Sequence, residues 1–256
     1  MSPPSAPTGV LSTLKPLGWT SHDVVAVVRS IVGLRRVGHG GTLDPLATGV
    51  LPILIGEATT FSDRFREAAK AYGALVRFGT ETATDDREGT VTREAALPDL
   101  AGVALDAALG AFRGEVSQVP PTYAAVKVAG RPAYARARSG EAVVLEARRV
   151  TIARLTVASW RPPELRLLVV CSSGTYVRAL ARDIGRSLGS AAHLAALVRL
   201  AVGALAAEGS VGIERLRQEG RDAALASLRP ADERLLVLGE RFRRDDAARL
   251  LANWGA

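Results

Sequence analysis

The sequence predicts an α+β fold, on three observations. Segments of strand character and of helical periodicity are intermixed without the strict βαβ rhythm of a doubly wound sheet. The 256-residue chain is 48% hydrophobic, ample for a buried core in one large domain or one domain with a small appendage. No internal repeat or low-complexity tract divides it.

The elements follow in chain order. Residues 1–8 read as a short disordered tail; "MSPPSAPTGVLSTL" lacks a basic stretch followed by an apolar core, so it is no signal peptide. "TSHDVVAVVRSIV" opens with Thr20 and has Asp23 three positions on, a capping-box pattern that predicts a helix over 21–32, with a strand as the alternative because of its valines. "EATTFSDRFREAAK" predicts a helix over 57–70, and "AYGALVRFG" a strand over 71–79. "TETATDDREG" is a polar loop. "LPDLAGVALDAALGAF" predicts a helix over 97–112, started by Pro98 and Asp99. Residues 115–140, with three prolines, two tyrosines and four basic side chains, read as a long excursion from the core. "VVLEARRVTIARLTVASW" and "ELRLLVVCSS" predict strands separated by a Pro-Pro turn. "TYVRALARDIGRSLG" predicts a helix ending at glycine, and "AAHLAALVRL" a further helix.

Composition narrows the functional classes. Net charge is +7, and 30 of the 33 basic residues are arginine, which suits a polyanionic partner and equally a GC-rich genome. No run of eighteen apolar residues marks a membrane span. A single cysteine, Cys171, excludes a disulfide framework and fits a reducing cytoplasm. His22, His39 and His193 are scattered without the spacing of a zinc site, and neither a phosphate-binding loop nor a dinucleotide motif is present. No metal and no cofactor is the expectation.

Three places carry candidate chemistry. In "GHGGTLDPLATG", Asp44 precedes Pro45, which biases its backbone towards an extended conformation, and glycines flank it. This is a rigid way to aim a carboxylate; a turn whose aspartate merely caps the backbone is the other reading. In "CSSGTYVRALARDIG", Arg178 lies early on a helix. There it either keeps a buried carboxylate ionised or is a solvated helix arginine. Tyr72 in "KAYGALVRFG" reads as a core tyrosine or as a platform for a nucleobase.

Taken together, "KPLGWTSHDVV" (15–25), "GHGGTLDPLATGVLPILIGEAT" (38–59), "KAYGALVRFGTETATDD" (70–86), "PPTYAAVKVAGRPAYARARSG" (120–140) and "CSSGTYVRALARDIGRSLGSAAHLAALVRL" (171–200) resemble the TruB family of tRNA pseudouridine synthases. The resemblance implies a pseudouridine synthase fold with a central mixed or antiparallel sheet flanked by helices, over residues 9–230. It makes 115–140 a thumb-like insertion that grips an RNA stem-loop. It implies that Asp44 is the essential catalytic aspartate, that Tyr72 stacks on the target base and that Arg178 pairs with the catalytic carboxylate. Asp86 lies near that arginine, and His39, Tyr176 and Leu197 match substrate-contacting positions. Lys15, Arg36 and Lys127 are the candidate RNA contacts. The chain departs from the family pattern in having Leu14 for an acid, Gly40 for threonine and Ala124 for serine. Residues 231–256 resemble only the approach to a PUA-type RNA-binding domain and end too soon for a full barrel.

The implied reaction converts uridine to pseudouridine at position 55, in the TΨC loop of tRNA. The target base is flipped from its loop, and no redox step is needed. The implied partner is the T arm, and the implied acting unit is a cytoplasmic monomer. A non-catalytic RNA-binding or tRNA-folding module is the alternative that the basic charge and long insertion also fit.

Overall fold

The first long helix, α1 (Ser21–Val32), shows how local signals and burial combine. The Thr20 hydroxyl accepts from the Asp23 N–H at 3.1 Å, and the Asp23 carboxylate accepts from the Thr20 N–H at 2.8 Å, completing a capping box. The helix stops at Gly33, whose left-handed backbone returns its N–H to the Arg29 carbonyl. A valine gives up about 0.5 kcal/mol of helix propensity, but burying one contributes about 1.5 kcal/mol or more. Val24, Val25, Val28 and Val32 are all buried, so the helix reading holds over the strand alternative.

The computed structural model describes residues 6–99, 102–124 and 144–242, together with 127–128, 131–133, 136, 139, 141 and 251. The chain forms two compact units, Met1–Tyr72 with Val198–Arg244, and Gly73–Leu197 with Asp245–Ala256.

In the first unit, β1 (Gly9–Lys15) pairs antiparallel with β3 (Ala47–Ile55), with Thr13 opposite Leu51 and Lys15 opposite Gly49. The short β2 (Val37–His39) pairs with the other end of β3. Strand β3 is apolar throughout because both its faces are covered. Leu51, Ile53 and Ile55 pack with the α1 valines and with Ile213 and Leu216 of a later helix, while Val50 and Leu54 pack with Phe65 and Val202. Leu14, at the position where the resemblance implies an acid, packs on the second of these clusters. The segment expected to be a helix over 57–70 is instead a 3-10 helix over Gly56–Phe61 followed by α2 (Ser62–Glu67). It ends early because Ala68 turns extended and the buried Lys70 ammonium takes up the carbonyls of Phe65, Arg66 and Ala68.

Lys70 opens β4 (Lys70–Phe78), which runs from the first unit into the second. There follow the hairpin of β5 (Thr80–Thr82) and β6 (Val91–Glu94), then α3 (Gly102–Leu109) and a 3-10 turn over Gly110–Phe112. Strand β7 (Gly114–Gln118) pairs antiparallel with β10 (Arg148–Arg161), and β10 with β11 (Glu164–Cys171) across the Pro162-Pro163 turn. Between β7 and β10, β8 (Lys127–Val128) and β9 (Arg131–Pro132) form a small ladder, and positions 125–126, 129–130, 134–135, 137–138 and 140 of the insertion lie outside the described residues. Helix α4 (Val177–Ser187) follows β11.

The segment read as a helix over 191–200 is a strand, β12 (Ala192–Val202). Its leucines and alanines favour helix by only tenths of a kcal/mol each. An apolar run buried on both faces cannot be told from a buried helix by periodicity, and a place inside the sheet outweighs propensity. Strand β12 also crosses from the second unit into the first. It is followed by β13 (Leu205–Ala206), β14 (Val211–Gly212) and α5 (Ile213–Ala226). The strand order in the first unit is β14-β1-β3-β12, and in the second β12-β4-β11-β10-β7. Short 3-10 turns, Glu233–Leu236 and Glu240–Phe242, close the first unit, and 243–250 and 252–256 lie outside the described residues.

Candidate active site

Asp44 sits on the loop between β2 and β3, and the backbone around it is pinned from several directions. The Asp44 carbonyl accepts from the Ala47 N–H at 3.0 Å, so Asp44–Ala47 is a tight turn with Pro45 at its second position, where its fixed φ fits best. On the N-terminal side, the buried Ser21 hydroxyl accepts from the Leu43 N–H at 2.9 Å and donates to the Leu43 carbonyl at 3.2 Å. On the C-terminal side, the Pro45 carbonyl accepts from the Gly18 N–H at 2.8 Å. The Asp44 side chain is half-buried.

Lys15, one of the candidate RNA contacts, lies inside the fold. The residue is 1% exposed, and its ammonium donates to the carbonyls of Pro16 at 2.9 Å, Trp19 at 2.6 Å and Pro45 at 3.4 Å. Its three N–H groups are thus committed to the chain itself. Burial pushes the ammonium down to about 8, while the Asp44 carboxylate pulls it back up. Lys15 is a cation set under the Asp44 turn.

His39, at the end of β2, is half-buried, and its Nδ1 accepts from the Gly41 N–H at 3.3 Å, which leaves the ring hydrogen on Nε2. Burial first, then the His22, Arg199 and Arg66 charges, lower it to about 4, so the ring is neutral at pH 7. The exposed His22 ring stands edge-on to it at 5.3 Å. Gly40 has a steric reason here. A Cβ at this position would lie 2.6 Å from the Phe65 Cβ and 3.2 Å from the Pro52 Cβ, so with Phe65 in place the threonine of the family pattern that the resemblance implies does not fit. Tyr72, in β4, is buried.

In the second unit, Arg178 is buried in the first turn of α4. It donates to the Thr84 carbonyl at 3.1 Å and the Tyr123 carbonyl at 3.2 Å, and lies 3.5 Å from the Asp86 carboxylate. The juxtaposition of Asp86 and Arg178 that the resemblance implies is therefore present. Asp86 also accepts from the Thr84 hydroxyl at 2.5 Å and the Glu88 N–H at 3.0 Å. The Tyr176 backbone is bracketed by the buried Gln118 side chain, which accepts from its N–H at 2.8 Å and donates to its carbonyl at 3.1 Å. Leu197 is buried in β12. Arg36 is exposed and bound to Glu57 and Thr59; Lys127 begins β8.

Sequence reasoning missed the arrangement around Arg178. Arg178, Arg182 and Arg186 recur every four residues on one face of α4, and each meets an acid from the segment 81–86, which runs from β5 into the following turn. Arg182 binds Asp85 at 2.7 Å, and Arg186 binds Glu81 at 2.7 Å, where Arg93 also reaches. The arginine spacing beside "TETATDD" was the signal. Burial raises Asp85 to about 6 despite Arg182. Burial also pushes Glu81 up, but hydrogen bonds from Arg186 and Arg93 bring it down to about 2. Among the described residues, no three His, Cys, Asp or Glu side chains are gathered to hold a metal ion. No helix among them is long and apolar enough to cross a membrane.

The chain is similar in sequence and in fold to known proteins. The family model described as TruB family pseudouridylate synthase (N terminal domain) matches residues 29–177. The chain is 45% identical over 237 residues to tRNA pseudouridine synthase B of Ralstonia nicotianae, covering 90% of this chain and 74% of that protein. It is 44% identical over 257 residues to tRNA pseudouridine synthase B of Mycolicibacterium paratuberculosis, covering 99% and 85%. A chain in the crystal structure of a Cbf5–Nop10–Gar1 complex superposes with a TM-score of 0.68 at 27% identity, over 87% of this chain and 60% of that one. By sequence and by fold, the chain belongs to the TruB family of pseudouridylate synthases.

Proposed function

We infer that this chain converts uridine to pseudouridine in tRNA, at position 55 of the TΨC loop, with Asp44 as the reactive carboxylate. The observation that carries the reading is the 45% identity to a tRNA pseudouridine synthase B across nine tenths of the chain. The match coincides with a loop built to aim one aspartate. A non-catalytic RNA module is not favoured, because such a module has no need of that aim.

The reaction breaks the C1′–N1 glycosidic bond, rotates the base and forms C1′–C5; N1 gains a proton and C5 loses one, so nothing is added. Extruding the base costs a few kcal/mol, and stacking on Tyr72 returns about 1–3 kcal/mol. His39, neutral at pH 7, is suited to take up the space the base leaves without a charge to desolvate. Asp44 acts ionised. The role proposed for Arg178, holding that carboxylate ionised and oriented, calls for a rigid guanidinium. Asp86 and the Thr84 and Tyr123 carbonyls supply that rigidity within its own unit. The reading takes the T-arm stem-loop as partner and a single cytoplasmic chain as the acting unit.

The test is to map pseudouridine in unmodified tRNA and in an isolated T-arm stem-loop after incubation with wild type and with Asp44→Asn. The expected result is modification at position 55 in both RNAs by wild type, and none by Asp44→Asn while tRNA binding persists. Normal turnover by Asp44→Asn overturns the assignment of the aspartate, and modification elsewhere overturns the assignment of position.

A further inference from the structure

We propose that Arg199 is a positioning residue for the reaction, a clamp that fixes the Asp44 loop from beneath; this rests on the reading of Asp44 as the reactive group. Arg199 lies in β12 and is 1% exposed, among the largest fully buried side chains described. Its guanidinium reaches into the loop and donates to three backbone carbonyls. These are Gly41 at 3.2 Å and Thr42 at 3.1 Å, just before Asp44, and Val50 at 2.7 Å, six residues after it. One planar group thus ties together both ends of the segment that carries the aspartate. A guanidinium presents five N–H groups in a fixed fork, so it sets the spacing of those carbonyls as an ammonium does not.

The backbone confirms that this contact is built in. Gly49 has a left-handed φ of 108°, and a Cβ there would lie 2.3 Å from the Arg199 carbonyl oxygen and 2.8 Å from its nitrogen. Only glycine lets β3 approach the Arg199 backbone closely enough for the side chain to span the loop. A buried guanidinium surrounded by carbonyls is an expensive way to fill a core. An apolar residue would serve packing alone, so the arrangement points to the loop's shape as the gain. The Arg199 charge also acts on the site, lowering both His39 and Lys15.

The experiment compares wild type, Arg199→Lys and Asp44→Asn. Lysine keeps the positive charge and most of the volume, so the variant folds; thermal unfolding checks this. Three readouts follow: the single-turnover rate at saturating unmodified tRNA, the tRNA dissociation constant, and amide hydrogen exchange at Leu43 and Ala47 against Val10 and Leu11 in β1. The expected result for Arg199→Lys is a rate lowered about tenfold or more. Its tRNA affinity stays near that of wild type, and exchange is faster at Leu43 and Ala47 but unchanged in β1. A wild-type rate, or a rate that falls only in proportion to folded protein with exchange rising everywhere, overturns the proposal. If Asp44→Asn turns over normally, the reading of Asp44 fails and the catalytic role of Arg199 falls with it. An inactive Asp44→Asn beside a fully active Arg199→Lys overturns the Arg199 inference alone.

Discussion

The loop that carries Asp44 is anchored by cations that donate to its backbone carbonyls, whereas the loop that carries Glu81, Asp85 and Asp86 is anchored through its carboxylates. In the first, Lys15 and Arg199 direct N–H groups to Pro45, Gly41, Thr42 and Val50. In the second, Arg186, Arg182 and Arg178 on successive turns of α4 meet Glu81, Asp85 and Asp86. Asp85 even adopts a left-handed backbone, φ 59°, where a non-glycine residue is strained. The difference teaches how to tell an acid placed for chemistry from one placed for structure. Where the cations hold the backbone, the fastening runs to peptide carbonyls. Where they hold the carboxylates, the acid side chain is itself the fastening.

The largest effect expected from this contrast is the loss of turnover in Asp44→Asn with the fold intact, since the anchors supplied by Lys15 and Arg199 run to backbone carbonyls that the substitution leaves in place. Measuring its thermal midpoint beside its activity breaks the comparison if stability collapses. Next, Arg182→Met leaves the buried Asp85 without its guanidinium and is expected to cost about 3 kcal/mol in denaturant unfolding at pH 7.5. The cost shrinks at pH 5, where Asp85 takes up a proton. A loss that is small and independent of pH would mean that the carboxylate is no fastening. Ser21→Ala removes both hydrogen bonds to the Leu43 backbone and is expected to cost about 1–2 kcal/mol. Turnover should fall further than the folded fraction does, because the loop loses its aim before the core loses its packing.

The smallest effects are pH slopes, and they have opposite signs in the two regions. His39 is lowered from 6.5 to about 4, so between those values the unfolded chain binds more protons. Its stabilising contribution is complete above pH 6.5 and is lost as the pH falls towards 4. Asp85 is raised from 3.8 to about 6, so the folded protein binds more protons in that window and gains stability as the pH falls through it. His39→Gln and Asp85→Asn should therefore bend the stability profile between pH 4 and 6.5 in opposite directions; slopes of the same sign would undo the contrast.

Much of the catalytic unit was legible because its signals are local. Thr20 and Asp23 specify their capping box within four residues, and Asp44-Pro45 biases its own turn. Arg178 and Asp86 were readable only through their resemblance to a family, and their contact at 3.5 Å belongs to the fold. The motif around Lys15 does not show whether its ammonium faces solvent, and only packing shows that it is buried. Strand β12 was misjudged because Leu and Ala favour helix locally, while the sheet that claims the segment is made by residues far away in sequence.

Sequence alone determined the α+β class, the capping box of Thr20 and Asp23, and the family, since each rests on neighbouring residues or on motif order. The tertiary structure decided which cations hold which loop. The partners of Arg199 lie 149 to 158 positions away and those of Arg182 up to 97, so no window along the chain contains both ends of these contacts. Closing such long loops is a property of the whole fold, because the burial that offsets the desolvation of each guanidinium is supplied by the packed core around it.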